Sequence, residues 1–274
     1  MTIALIDLDI IVNKDTFYAL AEEEDWDHTE SVGMARIRAD IEDWTTRAGC
    51  TTSLLFRSCC RSSGYRRQVY ESYKASRDRT TGDDWGGILM ANLWQRTTST
   101  YPVIDGEDLS LEADDLLGIY GQTPGTVMVT IDKDLRTVPG VHFNPDKDLE
   151  PVTVTPEEAQ KARLRQWLTG DSTDNIPGIP GIGPKKADKI LGGDGLMGEL
   201  ALQAYLDKGI EEYSAVVQWI LVSILYKHSF GTWTLSVPAP CQSIFEAYKD
   251  KRIYVPQPGT PVQFIHLTEP DVIC

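Results

Sequence analysis

The chain has 274 residues, 41% of them hydrophobic, and a net charge of −15, which is enough apolar material for one substantial core. Its longest apolar run, Val216 to Tyr226, is broken by Gln218 and Ser223 and is too short to cross a bilayer, and no basic, apolar leader opens the sequence. These features predict a soluble, cytoplasmic protein. The five cysteines (Cys50, Cys59, Cys60, Cys241, Cys274) are odd in number and lack zinc-ligand spacing, so reduced thiols are expected. Four scattered histidines argue against a zinc site or a His-based triad.

Ile3 to Asp9 reads as a buried parallel strand ending in acids. Met34, Ile37, Ile41 and Trp44 recur at helical spacing, with Gly49 as the stop. Ser53 to Phe56 is a second strand. Residues 58–100 are polar, basic and aromatic, with a weakly amphipathic helix over Asp83 to Gln95. Glu112 to Tyr120 is a helix, and Thr126 to Ile131 a third strand. Strands alternating with helices predict an α/β fold with a mostly parallel central sheet, whose sites form beyond the carboxyl ends of the strands.

The composition changes near residue 150. Thr155, Pro156 and Glu158 form a capping box that starts a helix running to Leu168. A Gly/Pro-rich turn, Asn175 to Gly183, follows, and Pro184 opens another helix. Glu211 to Lys227 reads as a long apolar helix. We therefore expect a catalytic domain over 1–150, a helical region over 151–235, and a C-terminal segment, 236–274, of unassigned role.

Nine carboxylates fall into four clusters: Asp7 and Asp9; Glu112, Asp114 and Asp115; Asp132 and Asp134; Asp171 and Asp174. Asp7 and Asp9, two apart on a strand, would share a face. Asp132 and Asp134 follow an apolar strand directly, and one helical turn would align Asp171 with Asp174. Singly, aspartates cap helices and start turns. Converging together, they would repel one another unless neutralised. Magnesium, which takes hard oxygen ligands and keeps water in its shell, resolves the conflict, and two such ions roughly 4 Å apart suit phosphodiester hydrolysis. The net acidity also hides basic segments. Seven basic residues against two acids lie between Arg57 and Arg79, and Lys161, Arg163 and Arg165, then Lys185, Lys186 and Lys189, form two further clusters.

The order of motifs resembles the 5′-nuclease family: flap endonucleases, the 5′-nuclease domain of DNA polymerase I and stand-alone phage exonucleases. GDSTDNIPGIPGIGPKKA (170–187), LEADD (111–115), TIDKD (130–134) and YKASR (73–77) carry the resemblance, which covers roughly Ile3 to Leu191. It implies a PIN-like α/β domain with a helical arch over about 58–100 and a helix–three-turn–helix motif over about 165–192. It implies that Asp7, Glu112, Asp114, Asp115, Asp132, Asp134, Asp171 and Asp174 hold two Mg2+ ions, replaceable by Mn2+, directly or through water. Lys74 and Arg77 would face the scissile phosphate, and Tyr73 would stack on an unpaired base. Gly178, Gly181 and Gly183, by allowing positive φ and close approach, would let the turn grip duplex backbone with Lys185 and Lys186, and the family often places K+ there. The expected partner is DNA: duplex with a 5′ end, a flap or a single-strand junction, with RNA–DNA hybrid as a second substrate. A phage-encoded protein would act in the host cytoplasm. The oligomeric state is not set.

The sequence also departs from the family. Leu8 stands where Gly is usual, and Ser58 where the family carries an Asp after its second strand. Asp83 and Asp84 replace basic residues in the arch. We expect Asp9 to supply the charge lost at Ser58. Two other readings stay open, a PIN-type ribonuclease and a catalytically impaired, structure-specific DNA binder.

Overall fold

The structure is a computed structural model, which describes residues 2–22, 26–60, 62–77, 85–107, 110–228 and 232–234. The expected arch residues Asp83 and Asp84 and the segment 236–274 lie outside the described residues. So do Cys241 and Cys274, while Cys50, Cys59 and Cys60 are free thiols.

The chain first lays down β1 (Ile3–Asp7), α1 (Leu8–Glu22), α2 (Trp26–Arg47), β2 (Thr52–Arg57), α3 (Tyr65–Val69), α4 (Trp85–Thr100) and β3 (Val103–Asp105). It continues through α5 (Ala113–Tyr120), β4 (Thr126–Val129), β5 (Gly140–Phe143) and β6 (Val152–Val154). Four helices follow: α6 (Pro156–Thr169), α7 (Pro184–Leu191), α8 (Met197–Leu206) and α9 (Glu212–Val222). A small antiparallel ribbon, β7 (Tyr226–His228) with β8 (Thr232–Thr234), comes last.

Six strands form one sheet in the order β3-β2-β1-β4-β5-β6, parallel throughout except that β6 runs antiparallel to β5. The central strand β1 is buried on both faces, as its unbroken apolar run requires. Ile3 and Leu5 pack with α5, α6 and α9, whereas Ala4 and Ile6 pack with α1, α2 and α4. Inside the first of these layers Trp167 stacks on Tyr205 and meets Trp219 edge-on, and the same core holds side chains of α5 to α9.

Two boundaries differ from expectation. The first strand ends at Asp7, and Leu8 already begins α1. The buried positions Leu8, Ile11, Val12 and Ala19 repeat at helical spacing, and this pattern overrides the apparent strand. The last helix stops at Val222 rather than Lys227, because Ser223 turns extended and the chain enters β7. The capping box on α6 forms as read: Thr155 accepts from the Glu158 backbone N–H, and the Glu158 carboxylate receives the Thr155 N–H at 2.9 Å.

Candidate active site

The carboxyl ends of β1 and β4 and the amino end of α5 meet at one place, as the parallel sheet demands. Asp7 is the last residue of β1 and caps α1, accepting from the Ile10 N–H at 3.4 Å. Glu112 caps α5, and Asp114 lies in its first turn. Asp132 caps the 3-10 turn Lys133–Thr137, accepting from the Asp134 N–H at 2.8 Å. A cavity of about 360 Å³ is lined by Asp7, Asp9, Glu112, Asp114 and Asp132, with Lys74 and Arg77 at its side.

These carboxylates are electrostatically uncomfortable. Burial and the charges of Asp9 and Asp132 push Asp7 well above the usual carboxylate range. Burial, then Asp7 and Asp132, does the same to Asp114. Asp114 Oδ1 is buried and receives no hydrogen bond. An orphaned hard oxygen among buried like charges is what a divalent cation corrects. Among the described residues, no three His, Cys, Asp or Glu side chains converge closely enough to hold an ion unaided.

Glu112 behaves differently. Burial raises its pKa, but Lys74 and Arg66 outweigh burial and bring it down to about 2. Lys74 Nζ donates to Glu112 Oε1 at 2.6 Å, and the Tyr73 hydroxyl donates to Oε2 at 2.9 Å. Lys74 holds φ of +54°, an uncommon conformation for a residue with a side chain, and its backbone N–H is tied to Asp174 O at 3.0 Å. Its ammonium also lies 3.9 Å from Asp174, and the Arg77 guanidinium pairs with the same carboxylate. The YKASR segment is thereby docked on the GDSTDN loop.

Several expected site residues sit elsewhere. Asp115 is fully buried and turned away from the cavity, with Arg66 bonded to both its oxygens at 2.7 Å. Tyr73 is buried beneath Glu112, so its ring offers no face to a base. Asp9 lies in the first turn of α1, not on the strand, and accepts the Ser58 N–H at 3.3 Å. It nevertheless reaches the cavity, from the helix instead of from the pleat. Asp171 and Asp174 are not aligned by a helical turn, because Asp171 forms a bridge with Ile176 in a tight loop. Asp134 faces Asp132 and Asp171, and burial together with their charges raises it to about 6. Asp171 lies 3.7 Å from Lys133.

In the glycine-rich turn, Gly178 adopts φ of +65° and its backbone presses on Gly170, so a Cβ at either would collide with backbone. Gly181 also takes positive φ, +77°, whereas Gly183 sits at −96° and needs no such freedom. Both leave open space where a Cβ would stand. Gly183 caps α7, and Lys185 and Lys186 are exposed at its start, with Lys186 Nζ bonded to Gly181 O at 2.8 Å. Arg163, part of an expected basic cluster, is instead buried and donates to Thr137 O at 2.6 Å. Sequence reasoning missed Arg66 as a site residue. An arginine eight positions before Lys74 gave no local sign that it would be buried under α5.

No family model matches the chain. DNA polymerase I of Rhizobium leguminosarum is 35% identical over 143 residues, 46% of this chain and 14% of the polymerase. The exodeoxyribonuclease of Enterobacteria phage T3 is 28% identical over 217 residues, 74% of this chain and 68% of that protein. In sequence the chain is thus similar to 5′-nucleases. Against polymerases of this kind it spans about one seventh of their length. The fold matches that of the T5 5′-exonuclease with divalent zinc ions bound, at a TM-score of 0.57 and 15% identity, over 81% of this chain and 89% of that one. Among the described residues, no helix is long and apolar enough to cross a membrane.

Proposed function

We propose that the chain is a divalent-metal-dependent 5′→3′ exonuclease and flap endonuclease that hydrolyses DNA phosphodiesters near 5′ ends. The observation that carries this reading is the convergence of Asp7, Asp114 and Asp132 at the strand ends, with one buried Asp114 oxygen unpaired. Asp7, Asp114 and Asp132, with Asp9 and Glu112 beside them, would hold divalent ions, Mg2+ or Mn2+, and Asp134, Asp171 and Asp174 would act nearby through water. When bound, two such ions supply charge neutralisation and a nucleophile usable at neutral pH.

The chain's own groups supply position and field. Lys74, fixed between Glu112 and Asp174, presents a cation beside the carboxylates, where it stabilises charge accumulating on the phosphate. Arg77 adds a second cation at the cavity edge. Asp9 takes over the charge that Ser58 lacks, while the Ser58 hydroxyl accepts the Ala113 N–H at 2.8 Å and so helps fix the start of α5. Some 150 residues form this catalytic half. In the helical half, the open backbone at Gly181 and Gly183, the α7 amino end, Lys185 and Lys186 form the surface for duplex phosphates, with K+ at the turn. Contacts of this kind read backbone and not base, so RNA in RNA–DNA hybrids is a second substrate. The setting is cytoplasmic.

The test is incubation with 5′-labelled duplex, 5′-flap and single-stranded RNA substrates in Mg2+, with and without chelator. Chelator-sensitive release of short 5′ products from the DNA substrates is expected. Binding without cleavage would leave an impaired structure-specific binder, and cleavage of single-stranded RNA alone would leave a PIN-type ribonuclease.

A further inference from the structure

Arg66 lies on the short helix α3 and is almost wholly buried, with a relative exposure of 3%. A guanidinium has five N–H donors, and here all five are used. One terminal nitrogen bonds Asp115 Oδ2 at 2.7 Å and Glu112 Oε2 at 2.8 Å. The other bonds Asp115 Oδ1 at 2.7 Å and Ser223 O at 2.7 Å, and Nε bonds Leu221 O at 3.2 Å. Asp115 is equally well served, since its Oδ1 also receives the Leu225 N–H at 3.0 Å and its Oδ2 lies 3.4 Å from the Glu112 N–H. Neither side chain reaches the carboxylate cavity through a free atom. Both reach it through Glu112, whose two oxygens are divided between Arg66 with Tyr73 and Lys74.

The third party is the chain leaving α9. Leu221, Ser223 and Leu225 contribute only backbone groups, and those groups complete the shells of Arg66 and Asp115. The approach is as close as chain allows: at Gly118, on the same helix as Asp115, a Cβ would lie 2.1 Å from Leu225 O. A buried, bidentate, fully hydrogen-bonded ion pair is geometrically strict, because loosening one member leaves the other charge without partners.

We propose that Arg66 and Asp115 are positioning residues that fix Glu112 and the amino end of α5 for metal binding, and that the segment 221–225, the end of α9 and the chain leaving it, is a structural part of the active site. Asp115 is then no metal ligand. This rests on the reading of the cavity as a divalent-metal site, but its test does not depend on nuclease activity. Groups that orient ligands from behind typically change metal affinity by about 10- to 100-fold when altered.

Mn2+ binding to the full chain without DNA is measured by electron paramagnetic resonance, on wild type, Asp115→Asn and Arg66→Lys, each at ten degrees below its own melting midpoint. Amide exchange at Leu225 is followed in parallel. Both variants should bind the same number of ions as wild type, with roughly tenfold weaker affinity. Asp115→Asn should also release the Leu225 amide to faster exchange. Loss of one bound ion in Asp115→Asn would overturn the proposal by making Asp115 a ligand. Unchanged affinity in Arg66→Lys, with only a lower melting midpoint, would overturn it by making the pair merely structural. Arg66→Lys keeps the charge and serves where Asp115→Asn does not fold. A wild type that binds Mn2+ yet cleaves nothing sinks the nuclease reading alone.

Discussion

The first turn of α5 holds two aspartates, side by side in sequence, Asp115 buried and Asp114 half-buried, in opposite surroundings. Asp115 looks toward α9 and has every lone pair occupied by Arg66 and backbone N–H groups. Asp114 looks toward the strand ends, meets Asp7 and Asp132, and has a buried oxygen with no donor. A single residue step along the helix thus separates a carboxylate that completes the fold from one that the fold leaves incomplete. Satisfied polar groups stabilise, while unsatisfied buried ones cost free energy and mark functional positions.

Swapping each aspartate for asparagine breaks this comparison most directly. Asp114→Asn should reduce cleavage by 10³-fold or more while raising the melting midpoint in chelator, since it removes one of several repelling buried charges. Asp115→Asn should lower the melting midpoint by several degrees, because Arg66 loses its bidentate counter-charge and keeps only Glu112, where breaking a buried pair outright costs about 3–5 kcal/mol. Thermal unfolding in chelator and single-turnover cleavage together give both readings. A lower midpoint for Asp114→Asn would show that Asp114 is structurally paired after all.

Lys74 sits between the two kinds of group, bonded to Glu112 and close to Asp174. Lys74→Ala should lower the single-turnover rate by roughly 10²- to 10³-fold, the scale for one electrostatic stabiliser, and change substrate affinity far less. If affinity falls and bound DNA is cut at the full rate, Lys74 is an anchor only. A smaller effect is expected in the glycine-rich turn. Lys185→Ala should weaken duplex binding uniformly across sequences and reduce the log–log salt slope by about one. Lys186→Ala should do more than its charge suggests, because Lys186 also braces Gly181 O. An unchanged slope in both would take these lysines off the phosphate path.

Much of this was legible in the sequence. The alternation of apolar strands with helices announced the parallel sheet, and the acid clusters announced the carboxylates that gather at its strand ends. What stayed hidden was direction. Asp7 and Asp9 read as strand neighbours because the apolar run from Ile3 continues into α1 without a break, and the Leu8, Ile11, Val12 period was available but overlooked. Nothing in LEADD tells which aspartate faces the cavity, since that depends on Arg66 arriving from α3 and backbone arriving from residues more than a hundred positions later. Tyr73 likewise read as a free aromatic, and only the packing of α5 above it shows its ring covered. Chemistry carried by composition was readable, and chemistry carried by long-range contact was not.

A third buried carboxylate sharpens the contrast further. Asp15, on α1, is fully buried against Asp40, with Lys14 at 4.0 Å and Arg36 at 3.8 Å. It has neither the bidentate arginine of Asp115 nor the cavity of Asp114. Burial first, then the charge of Asp40, raises its pKa to about 7, so it meets the same problem by holding a proton. The sign follows from linkage. A carboxyl whose folded pKa lies above its unfolded value of about 3.9 binds more protons in the folded state between those two values. Its contribution to stability is fully present below about pH 4 and is lost as pH rises through 7. Asp15→Asn removes this titration and keeps the shape. Relative to wild type, its melting midpoint should therefore be higher at pH 8 than at pH 5, by a few degrees, given about 2–4 °C per kcal/mol for a domain of this size. The measurement is thermal unfolding in chelator at the two pH values. An offset between variant and wild type that is equal at both would mean that Asp15 stays ionised throughout, held by Lys14 and Arg36 as Asp115 is held by Arg66.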